Sequence, residues 1–233
     1  MENQTPILSL INLDVGYNAT PLLNAINLNA NKGELIALMG LNGTGKTTLF
    51  KTILKETPSL SGKVLFGDKE LELNQLQSQI SVVYTERISI YGFSVTDMIA
   101  MGRMPHTNRF GKLTSKDQEV INASIKSLKL DDIAEHQIDN LSDGQFQKVM
   151  IARALAQETP LLLLDEPNAF LDIKNKKMIH ELLVDLSQNH NKTILVSTHD
   201  ITFCQLHCDK VWLAKDGELN EKLANEIKES DFD

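Results

Sequence analysis

Cysteine is nearly absent from this sequence. Cys204 and Cys208 are the only two among 233 residues. They lie one helical turn apart, so they do not form a disulfide framework. Long apolar runs are missing as well. Those present, such as Leu161 to Leu164 with its flanks, have the length of a buried strand and fall far short of the roughly 20 residues that span a bilayer. The N-terminus carries no charged-then-apolar leader. The expectation is a soluble, intracellular chain. If it works at a membrane, other chains supply the spanning part. Positive charge is in deficit: 23 Lys and Arg stand against 31 Asp and Glu, a formal net charge of −8. That balance argues against a sequence-independent nucleic-acid binder. There is no internal repeat and no low-complexity linker. The length allows a real core, as one large domain or a core with a small subdomain.

The stretch that organises the rest is Gly40-Leu41-Asn42-Gly43-Thr44-Gly45-Lys46-Thr47-Thr48. It fits the phosphate-binding pattern G-x-x-x-x-G-K-[ST]. The apolar run Leu35 to Met39 leads into it and a helix, Thr47 to Leu54, follows. A glycine-rich turn with a chance lysine would lack that strand–loop–helix setting. Glycines let backbone N–H groups wrap an anion, and the helix N-terminus points at it. In this pattern Lys46 reaches the β- and γ-phosphates, and Thr47 gives its hydroxyl to Mg²⁺.

Strand character recurs at Ile7–Leu13, Leu22–Leu28, Lys63–Phe66 and Ile80–Tyr84. It returns at Leu161–Leu164, Thr193–Ser197 and Lys210–Ala214, with a turn at Asp216-Gly217. Between these halves the texture changes. Apolar residues take helical spacing over Thr96–Met101, Ser115–Leu130 and Gln145–Gln157. The reading is an α/β chain with a mainly parallel sheet, N-terminal antiparallel β elements and a helical insert. Residues 1–86 and 159–233 form the α/β core, and 87–158 the helical subdomain. A helix is expected over Lys174–Gln188, and a fraying surface helix over Asn220–Asp233.

Leu161-Leu162-Leu163-Leu164-Asp165-Glu166 is an apolar strand capped by two carboxylates. It is expected to run parallel beside Leu35–Met39, with Asp165 at its C-terminal end, where ligands bind in open α/β sheets. Asp165 can then hold Mg²⁺ and Glu166 can polarise an attacking water. His199 ends the strand Thr193–Ser197 on the same edge. Its position alone fits a phosphate donor and a capping or core histidine equally.

Leu141-Ser142-Asp143-Gly144-Gln145 resembles L-S-G-G-Q, the signature of the ATP-binding cassette ATPases. It precedes Val149-Met150-Ile151-Ala152-Arg153 as the family's signature helix does, and the motifs keep the family's order over nearly the whole chain. The resemblance implies the nucleotide-binding subunit of an ABC transporter, a P-loop NTPase that hydrolyses ATP with Mg²⁺. It implies a set of roles. Tyr17 stacks on adenine; an edge-strand tyrosine is the alternative. Glu86 occupies the Q-loop glutamine's place beside the metal, and Asp172 is the D-loop aspartate. Ser142, Gly144 and Gln145 meet the γ-phosphate held by a second, head-to-tail copy. Membrane permease subunits are the further partners, with a substrate-binding protein reached through them, at the cytoplasmic face of the bacterial inner membrane. Nucleic acid is not a partner.

Two departures stand out. Glu86 is anionic where the family has neutral glutamine, and Asp143 replaces a glycine. An unpaired Asp143 buried against a phosphate would be costly, so its side chain is expected to point away. Gly102-Arg103-Met104-Pro105-His106 and Phe110-Gly111-Lys112-Leu113-Thr114 resemble segments of the importers for iron–siderophore, haem and cobalamin. The alternative is a non-transport cassette ATPase of translation or DNA repair, though the chain has no tandem cassette and no coiled-coil insert. A scaffold without turnover is a third reading, and a small-molecule kinase is a fourth. His199, Cys204, His207 and Cys208 group soft ligands, but without a zinc spacing. The two cysteines are expected to face the core.

Overall fold

A computed structural model describes residues 5–87 and 91–232. Residues 1–4 and 88–90 of the expected domains, and Asp233, lie outside it. The chain begins with β1 (Leu8–Tyr17) and β2 (Thr20–Ala30), an antiparallel pair. It continues through β3 (Leu35–Gly40), α1 (Lys46–Ile53), β4 (Ser61–Phe66), the single turn α2 (Leu73–Leu76) and β5 (Ile80–Val83). The helical part holds α3 (Val95–Ala100), α4 (Ser115–Ser127) and α5 (Asp143–Ala156). Then come β6 (Leu161–Asp165), α6 (Ile173–Gln188), β7 (Thr193–Ser197), α7 (Ile201–His207), β8 (Lys210–Lys215) and β9 (Glu218–Leu223).

Two sheets result. The smaller is antiparallel, in the order β2-β1-β4; the larger runs β5-β6-β7-β3-β8-β9 and is parallel except for β9. The expected neighbour relation is therefore corrected. β6 does not lie beside β3; β7 sits between them and pairs with both. Asp165 still reaches the phosphate-loop edge, because all three strands are parallel and end together.

Alternation along the parallel strands divides the interior into two cores. Leu35, Ala37, Met39, Leu162, Leu164, Ile194 and Val196 join the core shared with the helices. Ile36, Leu38, Leu161, Leu163 and Leu195 join the core under the small sheet. This is the period-two pleat of strands buried on both faces, which explains why the sequence shows unbroken apolar runs there.

The three helices of the insert start alike. Ser94, Thr114 and Ser142 each accept from the third helical N–H, while Asp97, Asp117 and Gln145 reach back to the cap. Each capping box satisfies two orphan donors. The Gly102-Arg103 segment turns out to be a staple within this insert. A Cβ on Gly102 would stand 2.2 Å from the Arg153 carbonyl oxygen, so only glycine lets the backbones meet. Arg103, 3% exposed, donates to Asp117 Oδ1 at 2.8 Å and to the Ala156 carbonyl and Glu158 Oε2, each at 2.7 Å. Met104 and Phe110 remain exposed.

Removing one partner of a buried ion pair strands the other. Arg103→Ala is accordingly expected to lose about 3 kcal/mol, read as a lower denaturant midpoint at unchanged m-value. The Thr114 hydroxyl above all, then the Thr114 N–H and Arg103, hold the Asp117 carboxyl below the usual carboxylate range. A depressed folded pKa adds stability that is complete above the unfolded value, about 3.9, and fades as pH falls further. Acid denaturation should therefore begin below about pH 4.

The last stretch departs from expectation. In place of a surface helix over Asn220–Asp233, β9 pairs antiparallel with β8 from Lys215↔Glu218 to Lys210↔Leu223. Short 3-10 turns follow at Ala224–Glu226 and Glu229–Phe232. Asp216 (φ 52°) and Gly217 (φ 81°) are both left-handed, as a two-residue hairpin turn requires. Among the described residues, no helix is long and apolar enough to cross a membrane.

Candidate functional site

The loop between β3 and α1 is shaped by its glycines. Gly45 caps α1 at φ 101°, a conformation an L side chain rarely adopts. No acidic side chain lies in the first turn of α1, which suits an anion at that N-terminus. Leu41, Asn42 and Gly43 are exposed at the loop tip, and Thr44 folds back onto the Leu41 carbonyl at 2.9 Å. Thr48 is buried beneath the loop. Lys46 is 6% exposed, and its ammonium donates to the Gly40 and Leu41 carbonyls at 2.8 and 3.0 Å. Burial depresses its pKa, against the pull of Glu166 and Asp165.

Asp165 ends β6 at the opposite wall and is held at both carboxylate oxygens. Thr47 Oγ1 donates to Oδ2 and Ser197 Oγ to Oδ1, each at 2.6 Å. Thr85 Oγ1 donates to its carbonyl at 2.7 Å. Glu166 follows with φ 45°, a strained backbone for a residue with a side chain. Its N–H donates to Ser197 Oγ at 3.0 Å, which fixes that conformation. Its Oε1 lies 3.0 Å from His199 Nε2. A cleft of about 450 Å³ is lined by Thr47, Glu86, Asp165, Glu166 and their neighbours.

The expected residues thus divide into groups. Lys46, Thr47, Asp165, Glu166, His199 and Glu86 converge on one edge of the large sheet. Tyr17, half exposed at the end of β1, is not part of the cleft wall. Asp172 caps α6 by accepting from the Asn175 N–H at 2.8 Å. Ser142 caps α5, which begins at Asp143 and so two residues before the expected Gln145. Gly144 backs onto the Phe170 carbonyl, 3.1 Å from where a Cβ would stand. Ser142, Gly144 and Gln145 line no part of the cleft. Asp143 does not turn inward: it pairs with Arg87 at 2.8 Å.

Sequence reading missed Ser197 and Thr85. Serine and threonine carry no motif of their own here, yet Ser197 stands directly opposite Asp165 in the β6–β7 register.

The oxygen donors fit a hard divalent cation. Thr47 and Asp165 are adjacent and Glu86 shares their cleft. Among the described residues no group of three or more His, Cys, Asp or Glu is arranged to hold a metal. Mg²⁺ takes one or two carboxylates plus substrate phosphates rather than an all-protein cage, so the two facts agree. Among the described residues His199, Cys204, His207 and Cys208 likewise form no metal-binding group. Cys204 is buried, and its hydrogen bond to Cys208, with burial, pushes the Cys208 thiol far up.

The family profile described as ABC transporter matches residues 23–169, from β2 through the carboxylates after β6. The chain belongs to the ABC transporter family. As such it is an ATPase of the cassette type, and it binds nucleotide. One relative within this family, the iron(3+)-hydroxamate import ATP-binding protein FhuC of Bacillus subtilis, is 34% identical over 83% of this chain and 73% of its own. Solved cassettes superpose closely. A chain of a metal-chelate type ABC transporter, facing inward, matches with TM-score 0.83 and 32% identity over 95% of this chain and 85% of that one. A dimeric cassette in a post-hydrolysis state, with ADP and phosphate bound, matches with TM-score 0.83 and 27% identity over 94% of this chain and all of that one. Both superpose over nearly the whole of the fold described above.

Proposed function

We propose that this cassette energises the import of a chelated-metal compound, of the iron–siderophore, haem or cobalamin class. Two copies pair head to tail beneath membrane permease subunits at the cytoplasmic face of the membrane. The observation that carries the hydrolytic part is the Thr47–Asp165–Ser197 bridge, with the Glu166–His199 pair one residue on. Mg²⁺, held by Thr47, Asp165 and Glu86, would neutralise charge on the phosphates. Lys46 and the loop N–H groups orient the triphosphate, with Gly40, Gly43 and Thr48 shaping the cradle. Glu166 takes the proton of the attacking water, and His199 keeps that carboxylate aimed while donating toward the transferred group. Tyr17 offers an exposed ring for the base.

Ser142, Gly144, Gln145 and Asp172 stand outside the cleft, which supports their serving a nucleotide held by the second copy. The hydroxamate-importing relative and the metal-chelate type neighbour support the cargo class. The permease is received beside Glu86 and the exposed Met104 and Phe110. A substrate-binding protein joins through the permease.

The test is transport. The chain with its permease in vesicles should drive ATP-dependent uptake of a ferric siderophore, haem or cobalamin. No uptake of any of the three, with co-purification on ribosomes or DNA, would favour the non-transport alternative.

A further inference from the structure

Arg87 lies outside every motif, one residue beyond Glu86, and reaches a segment 56 residues away. Its Nη1 donates to Asp143 Oδ1 at 2.8 Å. Its Nη2 donates to the Ile138 and Asp139 carbonyls at 3.2 and 3.4 Å. The guanidinium also stands over the Phe146 ring, 5.1 Å from its centroid. One planar cation therefore grips the chain before Leu141-Ser142 and after it. A single ion pair at this exposure, 35% and 58%, would contribute little. Here the fork geometry and the ring contact fix the arginine in place.

Charge gives the arrangement its point. Asp143 occupies the first position of α5, beside Ser142, where the positive end of the helix dipole would otherwise favour an anion. A bare carboxylate there would oppose any phosphate approaching Ser142. We propose that Arg87 is a positioning residue that neutralises Asp143 and straps the Ser142 turn, keeping the N-terminus of α5 receptive to the γ-phosphate held by a second copy. This rests on the head-to-tail reading above. It also links the two departures from the family's motifs, because Arg87 joins the strand-end segment that carries Glu86 to the turn that carries Asp143.

The experiment uses the full chain carrying Glu166→Gln to halt turnover, and follows ATP-driven dimerisation by sedimentation at low salt. Arg87→Ala should raise the ATP concentration for half-dimerisation by about tenfold, with a smaller shift in 0.5 M salt. Asp143→Asn alone should move it less than about twofold. In the Arg87→Ala background Asp143→Asn should restore it to within about threefold of the parent, which a purely mechanical strap would not do. Arg87→Lys keeps the charge and should also stay within about threefold. A double variant as impaired as Arg87→Ala, or an Arg87→Ala chain that dimerises like the parent, would overturn the proposal. If the Glu166→Gln parent itself never dimerises with ATP, the head-to-tail reading fails and carries this inference with it.

Discussion

Glu166→Gln is expected to retain nucleotide binding and lose turnover by about 10²- to 10⁴-fold. The exchange keeps shape and hydrogen-bonding reach but removes the group that can accept a proton. The backbone at this position is strained and fixed by Ser197 Oγ, so the new amide should occupy the same place. The partner nitrogen, His199 Nε2 at 3.0 Å, can still donate to the amide oxygen. Binding by a fluorescent nucleotide and phosphate release under saturating ATP give the two numbers. Near-normal phosphate release would remove Glu166 from the role of base and leave the strain at φ 45° without a chemical purpose.

Lys46→Met should act earlier, on binding itself. The ammonium is almost fully enclosed and makes two backbone bonds, while burial and the carboxylates of Glu166 and Asp165 pull its proton affinity in opposite directions. Such a cation is held for a purpose other than packing, since methionine would fill the space without desolvation cost. Two charge-assisted bonds to phosphate oxygens are worth about 1.5–3 kcal/mol each. Their loss predicts nucleotide binding weaker by at least about a hundredfold, with thermal stability unchanged or raised. Unaltered nucleotide affinity would show that the loop N–H groups alone hold the phosphates.

The sequence was most legible where function is written in contiguous residues. Gly40–Thr48 and Leu161–Glu166 name their own local structure, because tight turns demand glycine and doubly buried strands demand unbroken apolar runs. Strand order is not written that way. Nothing in Leu35–Met39 or Leu161–Leu164 says that β7 slips between them, and the pairing is settled by how the crossover helices pack. The C-terminal stretch misled because Asn220 onward is polar and acidic, as solvent-facing helices are. The deciding signal was Asp216-Gly217, a turn pair that sends the chain straight back along β8. Gly102-Arg103 reads as a cargo-class marker, yet both residues are interior parts of the helical insert. Exposed residues nearby, Met104 and Phe110 among them, are the ones left to meet a partner. Ser197 and Arg87 were invisible because each acts through a partner far away in the chain.

In the proposed pair, one copy supplies the phosphate loop and the other the Ser142 turn. The most direct measurement is the structure of the Glu166→Gln chain loaded with ATP and Mg²⁺. Two nucleotides are expected, each with Lys46 of one copy and Ser142 of the other within hydrogen-bonding distance of its γ-phosphate. Nucleotides contacted by a single copy, with Ser142 facing solvent, would contradict it.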